Sequence, residues 1–532
     1  MPDYNPKEPM GLMYLKAALN KNGQTSEILD ADILALTLEE TVDKINATPT
    51  NIIGISVLQR ALPSTNLLVA EVRKRGIKSH ICCGGFTATL SAKHILEKVP
   101  EIDSIVLGDG ELTFSALVKA ISNGREWRNI PGIAYRKDGR ILINPPATKA
   151  DLNQLPWPDR SLLPTCFDKA GYATILASRG CYGVCTFCSN QAFETVSSGS
   201  SWRGRNPTDV VDEIEFIVRE YNIRTFKFND PNLFGPGKRG RQHVSDICNE
   251  IINRGLNDLH LMGFCRSNDL DIEIALLMKR AGFERILIGV ETSSNDVLKK
   301  FRKGESLETI NQSIKILRSV GIDIVPGFMI FNPYTTIETL EADIKFLETN
   351  NFMPILAKAL RIFDGTSLQK IMGLENRLIE HSPLSGYHEY IVDRSIASIY
   401  MALKTMSAEW IDVLKKSYQG EIWRIKKSPI FTQRELYDTF NKMMYDLEKG
   451  FLQTLISWIG TDISLGAVIA KIDNLKHSLI DIELMIVRAN NLPKPILNVA
   501  IFSTPDLAQK VYKIVTKKEH NTFPEKYRWG DD

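Results

Sequence analysis

The sequence predicts an α/β protein in which two α/β domains are followed by a mainly helical region. Three observations support this fold class. Strand-like and helix-like runs alternate at residues 10–122 and again at 172–365, which is typical of right-handed βαβ units around a parallel sheet. Residues 385–520 are helical by pattern. The 532 residues are enough for two or three domains with sizeable cores.

Charge and cysteine content exclude some classes of partner. The 65 Lys and Arg residues nearly balance the 63 Asp and Glu residues, so the chain gives no reason to expect nucleic acid or an anionic membrane. No apolar run approaches the roughly 18–20 residues that span a bilayer. Eight cysteines without a secretory signal predict reduced thiols. We therefore expect a soluble, cytoplasmic protein with no membrane span.

The first domain contains four predicted strands, and ligands of such sheets bind beyond the carboxyl ends of the strands. The strands are expected at residues 28–29, 51–58, 80–83 and 102–107, and the helices at 11–20, 38–47, 67–75, 92–99 and 112–122. Two strand ends are glycine-rich: Gly84-Gly85-Phe86-Thr87-Ala88-Thr89 and Gly108-Asp109-Gly110-Glu111. Glycine lets a backbone approach a ligand closely, although ordinary tight turns would explain these glycines equally well.

The second domain is predicted to be an open barrel. A β-hairpin at residues 131–146, turning at Asp138-Gly139, and a linker precede it. Strands are expected at 172–178, 224–229, 259–265, 285–291, 323–331 and 355–363, with helices near 208–221, 240–254, 271–281, 306–320 and 336–350. Six repeats suit a (β/α)6 barrel rather than a closed eight-fold barrel, with the chemistry at the carboxyl ends of the strands.

A loop after the first barrel strand carries three closely spaced cysteines. Cys181, Cys185 and Cys188 have the spacing Cys-x-x-x-Cys-x-x-Cys. Three thiolates on one tight loop ligate three corners of a 4Fe-4S cube and leave the fourth iron without a protein ligand. Zinc is the alternative, but its usual modules need a fourth ligand at short spacing, and Cys166 and Cys248 do not provide one.

This loop resembles the cluster-binding loop of the radical S-adenosylmethionine (SAM) superfamily, including the aromatic Phe187. The resemblance implies that SAM chelates the open iron and that an electron from the cluster cleaves it to a 5′-deoxyadenosyl radical, which abstracts hydrogen from unactivated carbon. It also implies a set of SAM-binding residues at strand ends: Phe187, Asn229, Asp230, Arg266, Ser267 and Glu291. For each of the polar residues, a salt bridge or a helix cap is the alternative.

The first domain resembles the cobalamin-binding domain of cobalamin-dependent radical SAM enzymes. The two glycine-rich turns and the linker at residues 152–160 carry this resemblance, which covers roughly residues 8–370. It implies a set of cobalamin-binding residues: Ser56, Gln59, Arg60, Gly84, Gly85, Phe86, Thr87, Gly108, Asp109, Gly110 and Glu111. A pattern Asp-x-His-x-x-Gly occurs only at Asp258 to Gly263, after the cluster loop, so we expect His260 to be a strand residue and no histidine to lie below the cobalt.

Two further expectations concern the start and the domain limits. Related domains begin with a hydrophobic strand, whereas this sequence opens at the turn Pro2–Pro6, so we expect a truncated or misassigned start, with completion of the sheet by another segment as the alternative. The predicted domains are a Rossmann-like cobalamin-binding domain (1–130), a hairpin and linker (131–165), a radical SAM partial barrel (166–370) and a helical region that covers the barrel and selects the substrate (371–532).

The resemblance implies an enzyme whose cofactors are a 4Fe-4S cluster, SAM and cobalamin. We expect a methyltransferase acting on an unreactive carbon (or phosphorus) of a small natural-product or lipid intermediate, with an external electron donor of the flavodoxin or ferredoxin type and no nucleic acid partner. An oxidative cyclase or ring-rearranging enzyme without methyl transfer, and a non-catalytic cobalamin or SAM sensor, are the alternatives.

Overall fold

A computed structural model describes residues 8–516, apart from short internal gaps. These gaps are residues 59–60, 380–386, 419–421, 423–430, 460, 491, 493–494, 496, 498 and 500–502. The side chains of residues 431–437 also lie outside the description. Within the described residues, none of the helices is both long and apolar enough to cross a lipid bilayer.

The first sheet has five strands in the order β1-β2-β3-β4-β5. Its strands are β1 (Ile52–Ser56), β2 (His80–Gly84), β3 (Ser104–Val106), β4 (Ile133–Lys137) and β5 (Arg140–Ile143). The first three are parallel, as predicted, and the β4–β5 hairpin pairs antiparallel with β3. The hairpin therefore extends this sheet. The strand expected at residues 28–29 does not form, and this segment has no regular structure.

Helices cover both faces of the first sheet. They are α1 (Met10–Lys21), α2 (Leu38–Ala47), α3 (Leu62–Lys74), α4 (Phe86–Leu90), α5 (Ala92–Lys98) and α6 (Gly110–Ser122). Helices α2, α3 and α5 bury apolar residues in one core, and α6 packs over a smaller core on the other face. This two-faced burial is typical of parallel sheets and leaves the carboxyl ends of β1, β2 and β3 at one edge.

The second sheet is a five-stranded parallel half-barrel in the order β12-β11-β10-β9-β6. Its strands are β6 (Ala173–Ile175), β9 (Thr225–Phe228), β10 (His260–Cys265), β11 (Phe283–Glu291) and β12 (Asp323–Phe328). Of the expected sixth strand at 355–363, one parallel bridge joins Ala359 to Phe331, and Ile362–Phe363 belongs to a separate antiparallel sheet. A separate antiparallel pair, β7 (Ser178–Gly180) and β8 (Trp202–Gly204), lies between β6 and β9 in the sequence.

The barrel helices follow the strands in the predicted alternation. They are α7 (Leu163–Ala170), α8 (Ser189–Glu194), α9 (Pro207–Tyr221), α10 (Gly237–Asn253), α11 (Ile272–Arg280), α12 (Asn295–Lys300), α13 (Leu307–Ser319) and α14 (Ile337–Thr349). Several begin at a side chain that accepts a hydrogen bond from a free N–H of the first turn: Asn206, Asp271, Ser294, Ser306 and Thr336. Such caps fix where each helix starts.

The C-terminal region is mostly helical, as predicted, with a small three-stranded sheet. The sheet contains β13 (Ile362–Phe363), β15 (Tyr387–Tyr390) and β14 (Leu378–Ile379). The helices are α15 (Ser367–Leu374), α16 (Arg394–Met406), α17 (Asp412–Ser417), α18 (Phe431–Ser457), α19 (Leu465–Ala489) and α20 (Thr504–Thr516). Their buried side chains belong to the same apolar core as those of the barrel helices, so this region packs on the barrel.

Candidate active site

The three-cysteine loop lies between β7 and α8, at the carboxyl ends of the barrel strands. Two neighbouring segments hold its middle in place: the N–H of Thr186 donates to the carbonyl of Phe301 (2.9 Å), and the N–H of Leu368 donates to the carbonyl of Thr186 (2.8 Å). The N–H of Cys188 donates to the carbonyl of Cys185 (3.2 Å), which makes the loop tight. The thiols are therefore presented by a backbone that is fixed from both sides.

The donor chemistry of the loop fits an iron-sulfur cluster. The N–H of Gly183 donates to Cys181 Sγ (3.3 Å), and such N–H···S bonds stabilise a thiolate. Burial raises the pKa of the Cys188 thiol to about 11, so this thiol loses its proton only when it becomes a ligand. Among the described residues, no three His, Cys, Asp or Glu side chains converge as they would on a single metal ion.

Arg266, at the end of β10, contacts the cluster loop directly. Its Nη1 donates to Cys185 Sγ (3.4 Å), and its guanidinium lies over the Tyr182 ring, 5.4 Å from the ring centroid. Its Nη2 donates to the carbonyl of Lys303 and pairs with Glu305 (3.1 Å). The Nε of Arg266 is buried and has no partner among the described residues, so this N–H is available to a bound ligand.

A second charged pair lies at the end of β11. Glu291 forms an ion pair with Lys303 Nζ (3.0 Å). The backbone φ of Glu291 is +66°, which is uncommon for a residue other than glycine. A Cβ atom added to Gly289 would lie 2.5 Å from both side-chain ends. Glycine is therefore needed for the pair to occupy this position, and the paired charges suit the amino and carboxylate groups of an amino acid such as the methionine part of SAM.

The other predicted SAM residues take different positions. Asn229 is exposed at the end of β9, whereas Asp230 is fully buried. Asp230 accepts hydrogen bonds from the N–H of Ala177 (3.2 Å) and from the N–H and hydroxyl of Ser178, and burial raises its pKa to about 7. These contacts hold the segment that leads into the cluster loop, and a SAM contact by Asp230 stays a prediction.

Phe187 packs against the residue that follows α12, and Ser267 packs against α13. The Phe187 ring meets the Phe301 ring edge-on, with centroids 5.0 Å apart. Ser267 is fully buried, and its carbonyl accepts a hydrogen bond from the Ser313 hydroxyl (2.6 Å). Its own hydroxyl has no partner among the described residues, which leaves one donor for a ligand.

The predicted cobalamin residues gather at the carboxyl edge of the first sheet. Gly85 has φ of +90°, and a Cβ there would lie 3.3 Å from the Val57 carbonyl and 3.4 Å from Ser56 Oγ. Gly108 has φ of +75°, and a Cβ there would overlap the Ser197 hydroxyl. Both turns thus favour glycine, because the backbone has a positive φ and neighbouring atoms of the protein pack closely against it.

The remaining members of that set lie beside these glycines. Phe86 stacks on Phe193 of α8, with centroids 4.2 Å apart, and Thr87 is buried in α4. Gly84 ends β2, and Gly110 begins α6. The predicted contacts from Gln59 and Arg60 lie outside the described residues.

The two acidic residues of this edge bind arginines next to the cluster loop. Arg179 Nη2 donates to Glu111 Oε1 (2.6 Å), and Arg203 Nη1 donates to Asp109 Oδ2 (2.7 Å). Arg179 lies in β7, two residues before Cys181. The sequence analysis did not identify Arg179, Arg203, Lys303 or Glu305 as site residues. The position of Arg179 just before the cysteines was the available signal for a place in the site.

His260 lies where the sequence predicted, at the start of β10. Its Nδ1 is 2.8 Å from Glu284 Oε1 on the neighbouring strand β11. It is exposed and belongs to the barrel, so it is a strand residue and not a cobalt ligand.

A Rossmann-like sheet joined to a parallel half-barrel with a three-thiol loop is the arrangement of an iron-sulfur enzyme with a second cofactor-binding domain. Two family models agree: the radical SAM superfamily matches residues 175–347, and the B12 binding domain matches residues 4–118. Together they cover more than half of the chain. The protein belongs to the cobalamin-dependent radical SAM enzymes, which confirms the predicted cofactors: a 4Fe-4S cluster, SAM and cobalamin.

Individual relatives extend the comparison. The chain is 29% identical to an uncharacterized methyltransferase of Pyrococcus horikoshii, over 77% of its own length and 86% of the relative's. It is 30% identical to the anaerobic magnesium-protoporphyrin IX monomethyl ester cyclase of Synechocystis, over 60% of its own length and just under two thirds (64%) of the relative's.

A solved structure matches nearly the whole chain. The cobalamin-dependent S-adenosylmethionine radical enzyme OxsB, with aqua-cobalamin and S-adenosylmethionine bound, superposes with a TM-score of 0.73 over 97% of this chain and 82% of that chain. The sequence identity is 17%, so this similarity shows the shared fold, including the helical C-terminal region.

Proposed function

We propose that the protein is a cobalamin-dependent radical SAM methyltransferase that methylates an unactivated carbon (or phosphorus) of a small natural-product or lipid intermediate. When bound, SAM and the cluster supply a hydrogen-abstracting radical, and cobalamin supplies a methyl carrier. The similarity to the Pyrococcus horikoshii methyltransferase over 86% of that relative's length supports methyl transfer.

The observation that carries the proposal is the direct contact between the two cofactor regions. Glu111 follows a predicted cobalamin turn and binds Arg179, two residues before the first cluster cysteine. Phe86, from the other turn, stacks on Phe193 of the helix that follows the last cluster cysteine. A methyl carrier and a radical source held on facing loops suit methyl transfer to a substrate bound between them. Holding reactants in the right geometry supplies much of the rate enhancement of such a reaction.

The roles of individual residues are part of this proposal. Cys181, Cys185 and Cys188 bind the cluster; Glu291, Arg266, Ser267 and Asn229 lie where SAM would bind; the two glycine-rich turns bind cobalamin. The domain limits at residues 130, 165 and 370, an electron donor of the flavodoxin or ferredoxin type, a cytoplasmic location and the absence of a nucleic acid partner are also proposed.

A cyclase or ring-rearranging enzyme is the second candidate. It is favoured by the 30% identity to the Synechocystis cyclase. Both candidates would use the same three cofactors, so they differ only in the fate of the methyl group of SAM.

The test follows that methyl group. Protein reconstituted anaerobically with iron, sulfide and hydroxocobalamin is reduced and given methyl-labelled SAM. For a methyltransferase we expect label in the extracted corrinoid and 5′-deoxyadenosine as a separate product. Formation of 5′-deoxyadenosine with an unlabelled corrinoid would reject methyl transfer in favour of the second candidate, and the absence of both products would favour a sensor.

A further inference from the structure

We propose that Arg266 acts on the iron-sulfur cluster itself: it donates to the Cys185 thiolate and raises the reduction potential of the cluster. This role differs from the contact to SAM that the sequence predicts. The inference depends on the cluster assignment and is independent of methyl transfer.

The first argument is the geometry of one hydrogen bond. Arg266 Nη1 lies 3.4 Å from Cys185 Sγ, a hydrogen-bonding distance for sulfur, and both residues are buried. Gly183 leaves the space for this approach, because a Cβ there would lie 2.5 Å from Nη1. Hydrogen bonds to cluster sulfurs are among the factors that set the reduction potential.

The second argument is that the guanidinium is fixed on every side. Nη2 donates to the carbonyl of Lys303 and pairs with Glu305, and the planar group lies over the Tyr182 ring. The Tyr182 hydroxyl in turn donates to Asp269 (2.5 Å). An arginine held by three neighbours is directed at the thiol, and Nε is its nitrogen without a partner among the described residues.

The third argument is the charge balance of the surroundings. The cations Arg266 and Lys303 face the carboxylates of Glu305 and Glu291. Neither oxygen of Glu305 accepts a hydrogen bond within the described residues, and its side chain is fully buried, so its charge is balanced by the two cations. Removing the guanidinium would leave one cation against two carboxylates beside the cluster.

The expected direction follows from electrostatics. A reduced cluster carries one more negative charge than an oxidised one, so a nearby cation and an N–H donor stabilise the reduced form. The effect is large in a buried site because the effective dielectric constant is low. Loss of the guanidinium should therefore make the cluster harder to reduce.

The experiment is an EPR-monitored redox titration of the reconstituted full-length protein without SAM or substrate. For Arg266→Gln we expect about a tenfold fall in the equilibrium constant for reduction, which is about 59 mV for a one-electron couple. Arg241→Gln is the matched control, because Arg241 pairs with Asp271 on the outside of α10 and α11. Iron and sulfide analysis establishes equal cluster content in the compared proteins.

Two further variants test the proposal if Arg266→Gln fails to hold a cluster. Gly183→Ala keeps the charge but displaces Nη1 from the thiol, and Gly183 does not adopt a positive φ, so alanine is sterically compatible with its backbone. Arg266→Lys keeps the positive charge but lacks the planar guanidinium with its several N–H donors. Both should lower the potential by less than Arg266→Gln does.

Unchanged potentials in cluster-loaded variants would overturn the proposal. Weaker SAM binding at an unchanged potential would overturn it in favour of the SAM contact. Because the titration needs no methyl transfer, its failure and the failure of the proposed function are separate results.

Discussion

Arg179 and Glu111 form an ion pair of 2.6 Å that joins the strand before the cluster cysteines to the glycine-rich turn of the first domain. Both side chains are largely buried, and Asp109 lies 3.5 Å from the same arginine. A buried ion pair persists only where both charges are matched. This contact therefore joins the two cofactor regions, together with the Arg203–Asp109 pair and the Phe86–Phe193 stack.

We expect Glu111→Gln to weaken cobalamin binding, because it leaves Arg179 buried with only the more distant Asp109. Breaking such a pair costs about 3 kcal/mol. Titration with hydroxocobalamin, followed by absorbance, measures the affinity. Glu71→Gln, at an exposed pair with Lys74 in the same domain, is the control and should bind cobalamin like the wild type. Equal affinities for all three proteins would contradict the prediction.

Cys185→Ala should abolish the cluster, because two thiols cannot hold a 4Fe-4S cube with an open corner. The expected result is loss of the EPR signal of the reduced cluster and of 5′-deoxyadenosine formation. Cys248→Ala is the matched control: Cys248 is buried in α10, and the change should leave the cluster intact. A Cys185→Ala protein with normal iron content would refute the cluster assignment.

Glu213→Gln should destabilise the barrel. Glu213 in α9 binds Arg160 (2.5 Å) and Arg205 (2.6 Å), and all three side chains are buried. Removing the shared carboxylate leaves Arg160 paired only with Glu8 and Arg205 only with Asp209, so two buried guanidinium groups each lose one of two carboxylates, at a cost of about 3 kcal/mol. Urea unfolding followed by circular dichroism measures the loss. Glu215→Gln, at an exposed pair with Arg254, should change stability by less than about 1 kcal/mol; similar losses for both variants would count against this role.

Asp230 should make stability depend on pH. Burial raises its pKa to about 7 from the usual 3.8, so between these values the folded state holds a proton that the unfolded state has released. Protonation of Asp230 makes its full contribution to the free energy of unfolding below about pH 4. As the pH rises from 4 to 7, this contribution is lost, by up to about 1.4 kcal/mol per pH unit. Asp230→Asn should remove this slope, which unfolding at pH 5, 6 and 7 will show. An identical slope in the variant would contradict the prediction.

Local pattern was enough to predict the cluster loop and the alternation of strands and helices. The cysteine spacing lies within eight residues, and the strands are short β-branched runs that stand out from their surroundings. Two strands were misjudged. The run at residues 28–29 has only two apolar residues and forms no strand, and the sixth barrel strand is reduced to a bridge at Ala359.

The partners of charged residues were not predictable from local pattern. Glu111 meets Arg179 across 68 residues, and Asp109 meets Arg203 across 94. Asp230 was placed correctly at a strand end, but the sequence could not show that its carboxylate binds the backbone of Ala177 and Ser178.

The sequence by itself determined which thiols lie close together and where the glycine-rich turns fall, and these motifs carry the family resemblance that implies the cofactors. These properties depend on neighbours in the chain, whose separation is limited by covalent geometry. The tertiary structure decided which charges surround the thiols, including the contact of Arg266 with Cys185 across 81 residues. Such contacts form only when distant segments are buried together, because a buried charge must find an opposite charge or a hydrogen-bond partner.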